Sequence, residues 1–134
     1  MTPKRSPQTP LTGRVALVAG ATRGAGRGIA RALAEAGATV YCTGRSVTGK
    51  PSPYGRPETI NETATLIKAA GGAAIAVRVD HTSEREVTAL FRRILRTHPS
   101  LDVVVDSVAG EDPLLKQHGF LWQAHLRNAD AMFR

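Results

Sequence analysis

Three glycines, Gly20, Gly24 and Gly26, follow directly on the apolar run Val15–Ala19 and open a segment in which apolar residues recur at helical spacing. A buried strand that ends in a glycine turn and passes at once into a helix gathers free backbone N–H groups and the positive end of the helix dipole at one point, which suits a phosphate. In such a unit Gly20 allows the sharp turn, Gly24 lets the backbone approach the phosphates of a dinucleotide, and Gly26 lets the helix pack closely on the strand. Two arginines extend this chemistry. Arg23 stands just before the second turn glycine, and Arg45 follows a second apolar strand in the run Thr43-Gly44-Arg45-Ser46. A site for NAD usually places an acid there to take the ribose 2′-hydroxyl. An arginine pair instead suits a 2′-phosphate through charge-assisted hydrogen bonds, so the expected cofactor is NADP, with NAD the lesser alternative.

These residues need elements to position them, and the rest of the chain supplies a regular alternation. After the first strand comes a helix of about residues 24–36, with Ile29, Ala30, Leu33 and Ala34 at helical spacing and Gly37 at its end. A second strand covers Thr39–Thr43. Residues 45–57, with Pro51, Pro53 and Pro57, read as a loop. A second helix runs from Glu58 to Ala70 through Ile60, Ala64 and Ile67, and a third strand covers Ala74–Val79. Ser83 and Glu86 form a capping box, in which the Ser side chain accepts from the third helical amide and the Glu reaches back. The helix they open carries Val87, Leu90, Phe91, Ile94 and Leu95 as an apolar stripe, with Arg85, Arg92, Arg93 and Arg96 mostly off it. Leu101–Val105 is a fourth strand, and a last helical segment is expected at about residues 120–133.

Strands alternating with helices of this length imply a parallel sheet with right-handed crossovers. The expected fold is an α/β, Rossmann-type doubly wound sheet of about four strands in the order 3-2-1-4, flanked by helices. Residues 1–12, Pro-rich and basic, are expected to be a disordered arm, and residues 13–134 a partial dinucleotide-binding domain. The fourth strand stands at an edge where its Val103–Val105 run invites self-association or pairing with another chain.

The turn spacing Gly-x-x-x-Gly-x-Gly resembles that of the short-chain dehydrogenase/reductase family. Leu11-Thr12-Gly13-Arg14-Val15-Ala16-Leu17-Val18 is similar to the family's approach to its first strand, Val77-Arg78-Val79-Asp80 to the end of its third, and Leu101-Asp102-Val103-Val104-Val105 to its fourth. The resemblance implies that Asp80 binds the adenine amino group and that Ala109 and Gly110 lie beside a nucleotide ribose. Thr22, Ala25, Ser46 and His81 complete the expected cofactor-binding set. The family's Asn-Asn-Ala-Gly reads Asp106-Ser107-Val108-Ala109-Gly110 here, a departure at the position that stabilises the family's sheet.

The resemblance also implies a catalytic Tyr with a Lys four residues on, tuned for proton transfer during hydride transfer. The tyrosines, Tyr41 and Tyr54, have no such Lys. Asn128, one residue out of the family's spacing from Trp122, reads as surface. The expectation is therefore a shortened oxidoreductase chain, acting on carbonyls or alcohols by resemblance, without turnover of its own and with no catalytic residue assigned. The alternatives are a non-catalytic nucleotide-binding or interaction module and an unstable relic of a truncated gene.

Composition bounds these readings. The 134 residues are 42% hydrophobic and 22% charged, as for one globular domain. No apolar run approaches the roughly 20 residues of a membrane helix, and no apolar leader opens the chain, so a cytoplasmic protein without membrane contact is expected. The net charge of +7 could suit a nucleic acid, but the arginines are dispersed and only six residues are aromatic, so no nucleic-acid partner is expected. The single cysteine, Cys42, lies in a strand and reads as a buried, inert thiol. The four histidines, His81, His98, His118 and His125, have no metal-ligand context and read as solvent-exposed.

Overall fold

The structure, a computed structural model, describes residues 9–52 and 55–108. Within them the chain alternates strictly: β1 (Val15–Ala19), α1 (Gly24–Glu35), β2 (Thr39–Gly44), α2 (Ile60–Ala69), β3 (Ala73–Arg78), α3 (Glu84–Thr97) and β4 (Val103–Asp106). The strands form one parallel sheet in the order β3-β2-β1-β4. Both the fold class and the strand order follow the expectation from sequence. Tyr54, Ala109, Gly110, the other residues beyond Val108 and the helix expected at about residues 120–133 lie outside the described residues.

Side chains alternate across a strand, so a covered sheet sorts each strand into two apolar sets. Ala16 and Val18 of β1 join Val40, Cys42 and Ala74 under α1 and α2, where Ala30, Ala34, Ile60, Ala64 and Ile67 meet them. Val15 and Leu17 join Tyr41 and Val79 on the opposite face, under Leu90 and Ile94 of α3. The first layer is rich in alanine, which lets helix and sheet backbones approach closely. Full burial of a side chain such as Ile60 or Ile94 contributes about 2 kcal/mol each. Cys42 is fully buried in this layer, and burial pushes its thiol up to about 11, so it is inert as expected.

Some details differ from the sequence reading. Ile29 and Leu95 fit the helical spacing, yet they are exposed, because each stands at the margin of the stripe that Ala30 and Ala34, or Leu90 and Ile94, fill. Ser83 accepts from the amide of Glu86 as expected, but Glu86 reaches past it to the amide of Asp80, at 2.8 Å. Thr9–Gly13, partly inside the residues assigned to the arm, form turns in which the Leu11 amide donates to the Ala36 carbonyl and Arg14 to Leu11. The amino end of the sheet is fastened by Asp102, whose carboxylate accepts from the Val15 amide at 2.8 Å and from Arg14 at 2.9 Å. Those two bonds, the backbone one foremost, hold the Asp102 carboxyl below the usual range.

Candidate functional site

Four backbone hydrogen bonds tie the chain together at the carboxyl ends of the strands. The Thr43 carbonyl accepts from the amides of both Gly20 and Ala21, the Gly44 carbonyl from Val79, and the Ala19 carbonyl from Ser107. The turn after β1 is thereby bound to the exit of β2, the exit of β2 to that of β3, and β1 to the exit of β4. Strand order reverses at β1, with β2 and β3 on one side and β4 on the other. A crevice at such a reversal is where open α/β sheets take their ligands.

The turn glycines are required by local geometry. Gly20 has φ +79°, and a Cβ there would collide with the Ser107 carbonyl. A Cβ on Gly26 would collide with the Gly20 carbonyl, so any side chain would force α1 off the turn. Gly24 has φ +54°, but its missing Cβ would point into open space. That opening lies at the first residue of α1. The same helix start carries no side-chain cap, whereas Thr59 caps α2 through the Glu62 amide and Ser83 caps α3. Open backbone beside an uncapped first turn is what an external phosphate group needs, so the chain's own residues fit the pyrophosphate of a dinucleotide.

The other expected site residues surround this turn. Thr22 lies against the exit of β2, since its hydroxyl oxygen would be 3.0 Å from a Cβ on Gly44. Arg23 is half-buried, with Glu58 at 4.0 Å. Ala25 is exposed in the first turn of α1. Arg45 is exposed immediately after β2, while Ser46 is buried and its carbonyl accepts from the Ile60 amide, which fastens the start of α2. Asp80 follows β3, and its Oδ1 accepts from the amide and the hydroxyl of Thr82 at 3.0 and 2.6 Å. Those two bonds lower the Asp80 carboxyl, with a smaller contribution from the charge of Arg45 nearby, so it is an anion with hydrogen-bonding capacity to spare.

His81 is not solvent-exposed as the sequence reading supposed. It is half-buried with Nε2 2.9 Å from the Thr43 hydroxyl. Desolvation pulls its pKa below the ordinary 6.5 despite the charges of Asp106, Asp80 and Glu86, so burial favours the neutral ring. His98 is also half-buried, with Nε2 3.1 Å from the Tyr41 hydroxyl and the two rings edge to face. Tyr41 is thus occupied within the core and has no access to a substrate.

Sequence reasoning missed Arg27, Thr43, Glu58 and Thr63. Thr63 carried a readable signal, because it is a polar residue on the buried stripe of α2 with Ile60, Ala64 and Ile67, and buried hydroxyls need partners.

Comparison with known proteins places these features in context. The family model described as short chain dehydrogenase matches residues 14–120. Dehydrogenase/reductase SDR family member 1 of Mus musculus is 40% identical over 108 residues, covering 79% of this chain and 31% of its own length. Ketoacyl reductase HetN of Nostoc sp. is 37% identical over 103 residues, covering 77% and 32%. Among solved structures, a putative short-chain dehydrogenase/reductase from Burkholderia xenovorans superposes with a TM-score of 0.70 at 26% identity, covering 91% of this chain and 44% of that one. A hydroxysteroid dehydrogenase from Escherichia coli gives 0.61 at 31% identity, covering 72% and 37%. The chain therefore spans about a third of the length of the curated relatives it matches.

Proposed function

Because the chain belongs to the short-chain dehydrogenase family, we propose that its crevice holds NADP and that the whole protein transfers hydride between that cofactor and a carbonyl or alcohol. The observation that carries this reading is the uncapped start of α1 at the strand-order reversal, opened by Gly24 and bordered by two arginines. Gly20, Thr22, Arg23, Gly24, Ala25 and Gly26 take the phosphate side through backbone amides and the helix dipole. Arg45, with Arg23 and Ser46, takes the 2′-phosphate. Asp80 and His81 take the adenine, and Ala109 and Gly110, outside the described residues, are assigned to the ribose.

The preference for NADP rests on charge. Arg45 stands where an acid would repel a 2′-phosphate, and its guanidinium is exposed and available to one. When bound, the dinucleotide supplies the hydride at its nicotinamide ring. These residues would bind and orient it, and among the described residues none is placed to move a proton on a substrate: Tyr41 is tied to His98, and neither Tyr41 nor Tyr54 has a Lys four residues on in the sequence. These 134 residues by themselves accordingly bind cofactor without turning over a carbonyl. Relatives named as a ketoacyl reductase and as dehydrogenases support the reaction class, not a substrate.

Thermal unfolding of the purified chain with NADPH and with NADH tests the reading, since a ligand selective for the folded state at about 100 times its Kd adds about 2.7 kcal/mol of stability. NADPH is expected to raise the transition more than NADH, and Arg45→Glu to abolish that difference. A folded chain whose transition neither nucleotide moves would contradict it.

A further inference from the structure

The peptide groups that carry Thr22 and Arg23 are held from outside the turn, by the beginning of α2. The Thr63 hydroxyl donates to the Ala21 carbonyl at 2.8 Å. The same oxygen accepts from Arg27 Nε at 3.0 Å, and that Nε–H is shared with the Thr22 carbonyl, also at 3.0 Å. Glu62 fixes the far end of the guanidinium, Oε2 lying 2.8 Å from Nη2, and this contact holds the Glu62 carboxyl below the usual range. Thr63 is fully buried and Arg27 mostly so, which makes the bonds rigid and costly to break.

A trans peptide is planar, with its C=O and N–H on opposite sides. Fixing the Ala21 carbonyl toward α2 therefore turns the Thr22 amide away from α2, and fixing the Thr22 carbonyl does the same for the Arg23 amide. The Thr22 side chain is left against Gly44, the residue before Arg45. Glu58, just before α2, stands 4.0 Å from Arg23 and so steers its guanidinium as well. One helix start thus orients both peptides and one of the two cationic side chains assigned to the 2′-phosphate.

We propose that Arg27, Thr63 and Glu62 form a clamp that sets the preference for NADP over NAD without touching the cofactor. This rests on the NADP reading above and adds positioning residues to it. The clamp orients the Thr22–Arg23 segment, whose amides serve the pyrophosphate of either nucleotide and whose Arg23 guanidinium serves the 2′-phosphate of one, so its loss weakens both nucleotides and NADPH the more.

The test is the Kd of the full chain for NADPH and for NADH, measured by calorimetric titration in the wild type, Arg27→Met, Thr63→Val, Thr63→Ser and Glu62→Gln. Arg27→Met and Thr63→Val are expected to weaken NADPH about tenfold and NADH about threefold, the difference being the 2′-phosphate contact of Arg23. Thr63→Ser retains the hydroxyl and is expected to restore the wild-type ratio. Glu62→Gln, at an exposed carboxylate, gives the same direction with a smaller change and a safely folded protein. Equal weakening of both nucleotides, or an unchanged ratio in a wild type that binds NADPH, overturns the clamp alone. A folded wild type that binds neither nucleotide overturns the NADP reading and the clamp with it.

Discussion

Gly24 and Gly26 are two residues apart and do opposite work. At Gly26 the space for a side chain is already taken by the Gly20 carbonyl, so Gly26→Ala is expected to lower stability by about 2–3 kcal/mol through forced backbone shifts. At Gly24 nothing stands in the way, and Gly24→Ala is expected to lose about 1 kcal/mol from its left-handed backbone. Its larger effect falls on NADPH affinity, because the added methyl projects into the opening. Urea unfolding together with a nucleotide titration of the two variants separates these effects. Affinity lost in Gly26→Ala alone, with Gly24→Ala binding as the wild type does, would mean that the opening at Gly24 is not where the phosphate sits. The glycine spacing was legible in the sequence because each turn glycine answers a local requirement. The burial of His81 was not, because it depends on Thr43, a residue of β2 38 positions away in sequence.

The three helix starts among the described residues differ in how their first-turn amides are satisfied. Thr59 and Ser83 satisfy first-turn amides of α2 and α3, while α1 has no side-chain cap. Thr59→Ala is expected to destabilise the chain by about 1 kcal/mol, seen as a lower urea midpoint at unchanged slope. A midpoint that does not move would show that the Glu62 amide finds another acceptor. Element type and order were readable from periodicity, since the apolar runs and their glycine and proline punctuation agree with one another. The hold of α2 on the glycine turn was not readable. Arg27 and Thr63 are 36 positions apart in sequence, and only the packing of α1 beside α2 brings them to 3.0 Å. The Glu86 side chain likewise serves Asp80, on the far side of the loop, and only the three-dimensional path of that loop selects this amide over that of Ser83.

Among the described residues the groups shifted at and below neutral pH act in one direction. His81 is held neutral below its ordinary 6.5 by burial, so as pH falls through 6.5 the unfolded chain takes up a proton before the folded one does. Stability therefore declines in acid, and it is lost further as Asp80, Asp102, Glu58 and Glu62, all lowered by hydrogen bonds, protonate below the usual carboxylate range. His81→Gln is expected to flatten the upper part of this decline, from about pH 6.5 downward, and to leave the carboxylate part in place. Urea midpoints of both proteins from pH 7 to pH 5 measure it, and parallel curves would show that His81 is not desolvated. The two ends of the sheet divide the labour: Asp102 fastens β1 to β4 at the amino ends, and the carboxyl ends are left to gather the turn, Arg45, Asp80 and His81.

In the proposed cofactor site, backbone amides at the start of α1, rather than side chains, hold the phosphates. The amide spectrum of nitrogen-15-labelled protein during NADPH addition tests this most directly. Saturable shifts are expected to centre on Gly24, Ala25 and Gly26, with Arg45 following and with the amino end of the sheet around Val15 and Asp102 unchanged. Saturable binding that leaves the Gly24–Gly26 amides unmoved, or no binding by a folded chain, would rule out a phosphate seat at the start of α1.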